Sequence, residues 1–187
     1  AACAGVAMAL RLPFFGPLLT LAGYFGLLFL TTRLRNSAWG LAAVFALTGF
    51  MGLTLGPLLS AYLTFFSNGS QLVMTAVGGT GTIFLGLSGY ALVSRKDFSF
   101  MGSFLAVGAL VAFVIAIGAL LFHIPMLSLA ASAMFMVVSS GIILWQTGDI
   151  LHGHETNYIM ATVTLYVSIY NLFVSLLQLL GFFSGED

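Results

Sequence analysis

The side chains able to do chemistry are few, and their spacing is informative. Asn157, Ala161, Thr164, Ser168, Asn171, Ser175 and Gln178 follow alternating steps of four and three, which puts them on one face of an α-helix. Leu165, Val167, Ile169, Leu172, Phe173, Leu176 and Leu177 fill the other faces. Ser132, Ser139 and Gln146 recur every seven residues as a thinner stripe. Rows of uncharged amides and hydroxyls hold helices together by hydrogen bonds, or they line a hydrated path or ion site; both readings stay open. A second group, Asp149, His152, His154 and Glu155, combines carboxylates with imidazoles, which ligate divalent metals or titrate between about pH 5 and 8. Its spacing matches no metal signature, and His154-Glu155 lacks the second histidine of HExxH. It reads as a solvated, titratable turn with no metal. Gly86-Leu87-Ser88-Gly89 sets a serine among glycines, but a nucleophilic serine needs a base. All three histidines fall at the ends of the long apolar stretches or between them, so no catalytic residue, enzyme activity or cofactor is expected.

The elements that carry these stripes are set by composition. Five acids and five bases in 187 residues, with 60% hydrophobic residues, leave too little polar surface for a water-soluble fold. Soluble domains carry about 25% charged residues, against 5% here. A charge at the bilayer centre costs about 3 kcal/mol even on lenient scales, so the charges mark where the chain leaves the lipid. Between them lie six apolar stretches, 14–32, 38–66, 71–93, 100–122, 126–148 and 157–183. Each is close to or above the roughly 20 residues a spanning helix needs. Residues 1–10 are equally apolar but short, and read as the end of an earlier span whose beginning lies outside the sequence. Barrel strands would alternate in polarity, and these stretches do not. The expectation is one all-α integral membrane domain of seven helices, the first truncated.

Loop charges give an orientation. Arg33 and Arg35 follow the 14–32 span, and Arg95 and Lys96 follow the 71–93 span. These loops fall on the same side, which is expected to be cytoplasmic together with 149–156. The N-terminus is then cytoplasmic and the acidic C-terminus periplasmic. Zero net charge and the lack of a basic patch exclude nucleic acid as a partner. Cys3 is alone, so no internal disulfide exists. Gly52 and Gly56, spaced GxxxG, and the run Ala130-Ala131-Ser132-Ala133 should pack helices closely. Pro57 should leave the Leu53 carbonyl without its helical donor and bend its span.

Several runs resemble one family. They are Trp145-Gln146-Thr147-Gly148-Asp149-Ile150, His152-Gly153-His154-Glu155-Thr156-Asn157-Tyr158-Ile159 and Leu165-Tyr166-Val167-Ser168-Ile169-Tyr170-Asn171-Leu172-Phe173, with Thr48-Gly49-Phe50-Met51-Gly52, Leu55-Gly56-Pro57 and Arg95-Lys96-Asp97-Phe98-Ser99-Phe100. Together they resemble the Bax inhibitor-1 family, in its bacterial YccA-type branch. The resemblance implies a seven-helix inner-membrane bundle with six helices around the last. It implies two activities. Some members are pH-sensitive calcium leak channels, gated by an aspartate pair at positions that match Gln146 and Ser168 here, with a basic partner near Arg33 or Arg35. Neither Gln146 nor Ser168 can share a proton as paired carboxylates do, nor supply the charge a dehydrated divalent ion needs. The YccA-type branch instead modulates the membrane protease FtsH, with its partners HflK and HflC, and that role needs no buried charge. The resemblance therefore favours an FtsH modulator, with a calcium or cation leak as the alternative.

Overall fold

A computed structural model describes residues 2–9 and 17–185, and every element in them is helical. Arg11, the start of the 14–32 stretch and the terminal Glu186-Asp187 lie outside the described residues. The helices are α1 (Ala2–Ala9), α2 (Pro17–Leu34), α3 (Trp39–Phe65), α4 (Gly69–Ser94), α5 (Met101–Phe122), α6 (Pro125–Leu151) and α7 (Tyr158–Ser184). Five of them, α3 to α7, are long and apolar enough to cross a membrane, and Leu19–Leu34 makes a shorter apolar helix. At about 1.5 Å per residue, the 27 residues of α3, α6 and α7 exceed the roughly 30 Å hydrocarbon thickness. Phe104, Phe45 and Val114 point outward, as side chains do when lipid is the solvent.

The chain groups into two compact units. The first holds residues 1–70 with 157–163, and the second 71–156 with 164–187. In the first unit α3 packs on both α1 and α2. The glycine pair of α3 does what its spacing suggests. A Cβ on Gly52 would sit 3.0 Å from the Cys3 Cβ, and one on Gly56 would overlap the Ala7 methyl and crowd the Ala4 carbonyl. Small residues thus face small residues, which lets the backbones approach where the hydrophobic effect contributes little. The helix runs unbroken through Pro57. Asn157 reaches the turn after α2, donating from Nδ2 to the Arg35 carbonyl at 3.1 Å and to Asn36 Oδ1 at 2.8 Å. Its Oδ1 accepts from the Ile159 and Met160 N–H groups, each at 3.1 Å, and so starts α7.

In the second unit α5 and α6 are antiparallel neighbours. Gly102 lies under Trp145, Gly141 against Leu105, Gly108 against Val138 and Gly118 against Leu127. The turn joining them is short: His123 adopts left-handed φ 54°, ψ 39°, Ile124 is extended, and Pro125 opens α6. Proline suits that first position, since its missing N–H is needed by no helical bond there.

One boundary differs from expectation. The sequence places the end of the sixth span at 148 and Asp149 in a loop, whereas α6 continues to Leu151. Gly148 does not stop the helix; it lies in the interior against Phe98. Gly153 provides the stop, with φ 74° and the left-handed backbone that ends helices. Asp149 is therefore a helical residue, and the turn is 152–157.

Candidate functional site

The two uncharged positions singled out in the sequence are both interior. Gln146 and Ser168 are each 2% exposed. Ser168 donates to the Thr164 carbonyl one turn back, at 2.8 Å. The Gln146 Nε2 group is buried with no hydrogen-bond partner among the described residues. An orphaned amide of this kind costs about 1–3 kcal/mol.

The α7 stripe is more enclosed than a one-sided row. No residue from Val163 to Leu177 is exposed, and Leu172 and Leu177, on faces expected to be turned away, are wholly buried. Several hydroxyls of α6 and α7 find an acceptor within their own helix. Ser168, Ser132, Ser140 and Thr147 each donate to a carbonyl four residues earlier on their own helix. That arrangement satisfies a hydroxyl in lipid without any neighbour. Ser139 is also buried. Ser88 meets Thr147 at 3.4 Å, hydroxyl to hydroxyl.

Part of the stripe opens into a crevice of about 430 Å³ within the second unit. From α7 come Asn171, Val174, Ser175 and Gln178; from α6, Ser128, Ala131, Ser132 and Phe135; from α5, Ala116, Ala119, Leu120 and His123. The structure therefore gathers four stripe residues, Ser132, Asn171, Ser175 and Gln178, in one place. Thr164, Ser139, Gln146 and Ser168 are not among its lining. Ser132 Oγ lies 2.5 Å from Gln178 Oε1 and 2.9 Å from the Ser128 carbonyl. Its single proton serves one of these acceptors at a time. Ser128 and His123 were not expected here. Ser128 was legible, because it lies one helical turn before Ser132 on the same face of α6. His123, exposed at the end of α5, was not, because its place beside the crevice depends on the left-handed turn.

The titratable group forms a tied turn. His154 Nδ1 lies 3.5 Å from Asp149 Oδ1, and the His154 and Glu155 N–H groups both reach the Asp149 carbonyl. His152 places Nδ1 2.8 Å from the Gly148 carbonyl and Nε2 3.1 Å from the Arg95 carbonyl, joining the 152–157 and 95–100 turns. Asp97, beside them, accepts from the Ser99 N–H at 2.8 Å. That bond, with the Ser99 side chain and then His154 and His152, holds its carboxyl below the usual carboxylate range. Among the described residues no three His, Cys, Asp or Glu side chains converge as a metal site. Arg33 and Arg35 are exposed at the end of α2, where a cation complements the helix dipole.

Sequence comparison agrees with the helical pattern. The family model described as "Inhibitor of apoptosis-promoting Bax1" matches residues 1–185. The chain belongs to the Bax inhibitor-1 family. Among relatives, an uncharacterized protein of Pseudomonas aeruginosa is 51% identical over 97% of this chain and 82% of its own length. The Escherichia coli K12 protein named "Modulator of FtsH protease YccA" is 47% identical over 95% of this chain and 80% of its own. An uncharacterized membrane protein of Vibrio cholerae is 43% identical over 86% and 72%. A second E. coli relative, also at 47%, is named as an inner membrane protein. This Bax inhibitor-1 protein is thus a multi-pass inner-membrane protein whose stripe divides between a buried segment around Ser168 and an open crevice around Ser175.

Proposed function

We propose that this chain is a non-catalytic modulator of an FtsH-type membrane protease and so acts in membrane protein quality control. Its 47% identity to the E. coli modulator over almost the whole chain carries the reading. The interior chemistry supports it: Gln146 and Ser168 are buried and neutral, so the aspartate switch of the leak-channel members has no counterpart at those positions. Modulation works through helix surfaces and needs no charge in the interior. HflK and HflC belong to the same proposal as accompanying partners, with lipid as the solvent. The orientation places the turns bearing Arg33, Arg35, Arg95 and Lys96 in the cytoplasm, by the excess of basic residues there.

Affinity purification of the full-length chain from native inner membranes tests this. FtsH should co-elute at levels well above an unrelated polytopic control. Its absence under mild detergent, where HflK and HflC remain with FtsH, would overturn the reading.

A further inference from the structure

We infer that the crevice between α5, α6 and the C-terminal half of α7 is a docking groove for a transmembrane segment that carries uncharged polar side chains. The inference deepens the quality-control reading, on which it rests for the kind of occupant.

The polar groups do not stop at the mouth. On α7 they run from Gln178 through Ser175 to Asn171, and on α6 from Ser128 to Ser132. Asn171 lies 13 residues before the end of α7 at Ser184, or about 20 Å along the axis. The row therefore reaches well inside the hydrocarbon layer. Uncharged polar side chains at such depth hydrogen-bond across helices. Ser175 is 4% exposed and lines the crevice, and no hydrogen bond engages its hydroxyl or the Asn171 amide among the described residues. These are spare donors and acceptors aimed at the groove.

The lining also selects what enters. It contains no carboxylate, lysine or arginine, so it offers a metal ion or a phosphate headgroup no fixed countercharge. Its polarity persists with depth, which a lipid, polar only at its head, does not match. Across from the amides and hydroxyls, Ala116, Ala119 and Leu120 form an apolar wall. The complement is a rod that is polar along one side and apolar along the other. A helix with a stripe of Ser, Thr, Asn or Gln has that form, and small residues such as the two alanines permit close approach. The volume of about 430 Å³ is that of about one turn of a 10 Å helix. A striped helix is poorly solvated by lipid and gains hydrogen bonds in the groove; a fully apolar helix gains none.

The test uses the full chain reconstituted alone in vesicles, with Phe135 replaced by p-benzoylphenylalanine as a photocrosslinker in the groove wall. Two leucine–alanine peptides of about 20 residues are compared, one plain and one bearing serine and asparagine at i, i+4 and i+7. The striped peptide should be captured about fivefold more, the ratio that one kilocalorie of preference gives. Asn171→Leu and Ser175→Leu should each reduce capture to the plain-peptide level. Asn171→Ser, which replaces the amide with a hydroxyl and so keeps a donor and an acceptor at the site, should restore part of it and shows that loss is not misfolding. Ser140→Ala, whose hydroxyl is bonded to the Met136 carbonyl, should change nothing. Equal capture of both peptides, adducts to phospholipid alone, or capture indifferent to the leucine variants would overturn the proposal. Because no protease is present, this outcome is separate from FtsH association: either can fail while the other holds.

Discussion

At the scale of single residues, the polar groups of this chain separate by how they are satisfied. The hydroxyls of Ser168, Ser140 and Thr147 bond back to their own helix, so their removal should cost little. Gln146 has no such recourse. Its partnerless Nε2 leads to an unusual expectation: Gln146→Leu should stabilise the protein by roughly 1 kcal/mol, read as a higher unfolding temperature in detergent. A clear loss of stability would mean that the amide has found a partner. Asp97 behaves in the opposite way. Its carboxyl is held below the ordinary range, first by the Ser99 N–H, so its contribution is fully present above the unfolded carboxylate value near 3.9. It is lost as pH falls through the lower folded value. The protection of the Ser99 amide and the start of α5, measured relative to the intrinsic exchange rate at each pH, should therefore fall below about pH 4, and in Asp97→Ala that protection should be low at every pH. The role of Asp97 was not legible in the sequence. The run Asp97-Phe98-Ser99 is a common turn, and its setting beside His152 and His154 arises from residues more than 50 positions away.

At the scale of elements, glycine is used in two ways that look alike in the sequence. Gly56 lies against α1, where a Cβ would overlap Ala7, so Gly56→Leu should force the two helices apart. Overpacking of this kind costs about 1–3 kcal/mol, and a shift in the unfolding temperature would register it. Gly86 and Gly26 have nothing within 4 Å of a built Cβ. Alanine there should be neutral or stabilising by up to about 1 kcal/mol, since glycine is the poorer helix former. The GxxxG spacing pointed to Gly52 and Gly56 without error of position, but it could not name α1 as the partner. The helices themselves were legible to within a few residues, because long uncharged runs admit only one solution in lipid. The largest shift, α6 running on to Leu151, arose because the charge of Asp149 reads in the sequence as the end of the span, whereas the helix carries Asp149 and stops only before Gly153, which has the left-handed backbone.

At the scale of the whole molecule, the uncharged Gln146 and Ser168 favour the modulator over the leak channel, the two activities that the family suggests. In calcium-loaded liposomes the protein should show little flux, and none switched on between about pH 6 and 8, because Gln146 and Ser168 cannot share a proton as paired carboxylates do. Robust pH-gated flux would reverse the ranking. Gln146→Asp combined with Ser168→Asp should introduce pH-dependent cation sensitivity; an inert double variant would show that no path passes these positions. The sequence by itself determined the solvent and the helix count, which follow from composition and local order, and the family, which follows from resemblance; that resemblance also picked out the uncharged Gln146 and Ser168. Tertiary structure decided which half of a uniform polar stripe is closed and which is open. Burial depends on what neighbouring helices bring to each level: around Ser168 they leave no opening, and around Ser175 the alanines of α5 and the turn at His123 leave a groove.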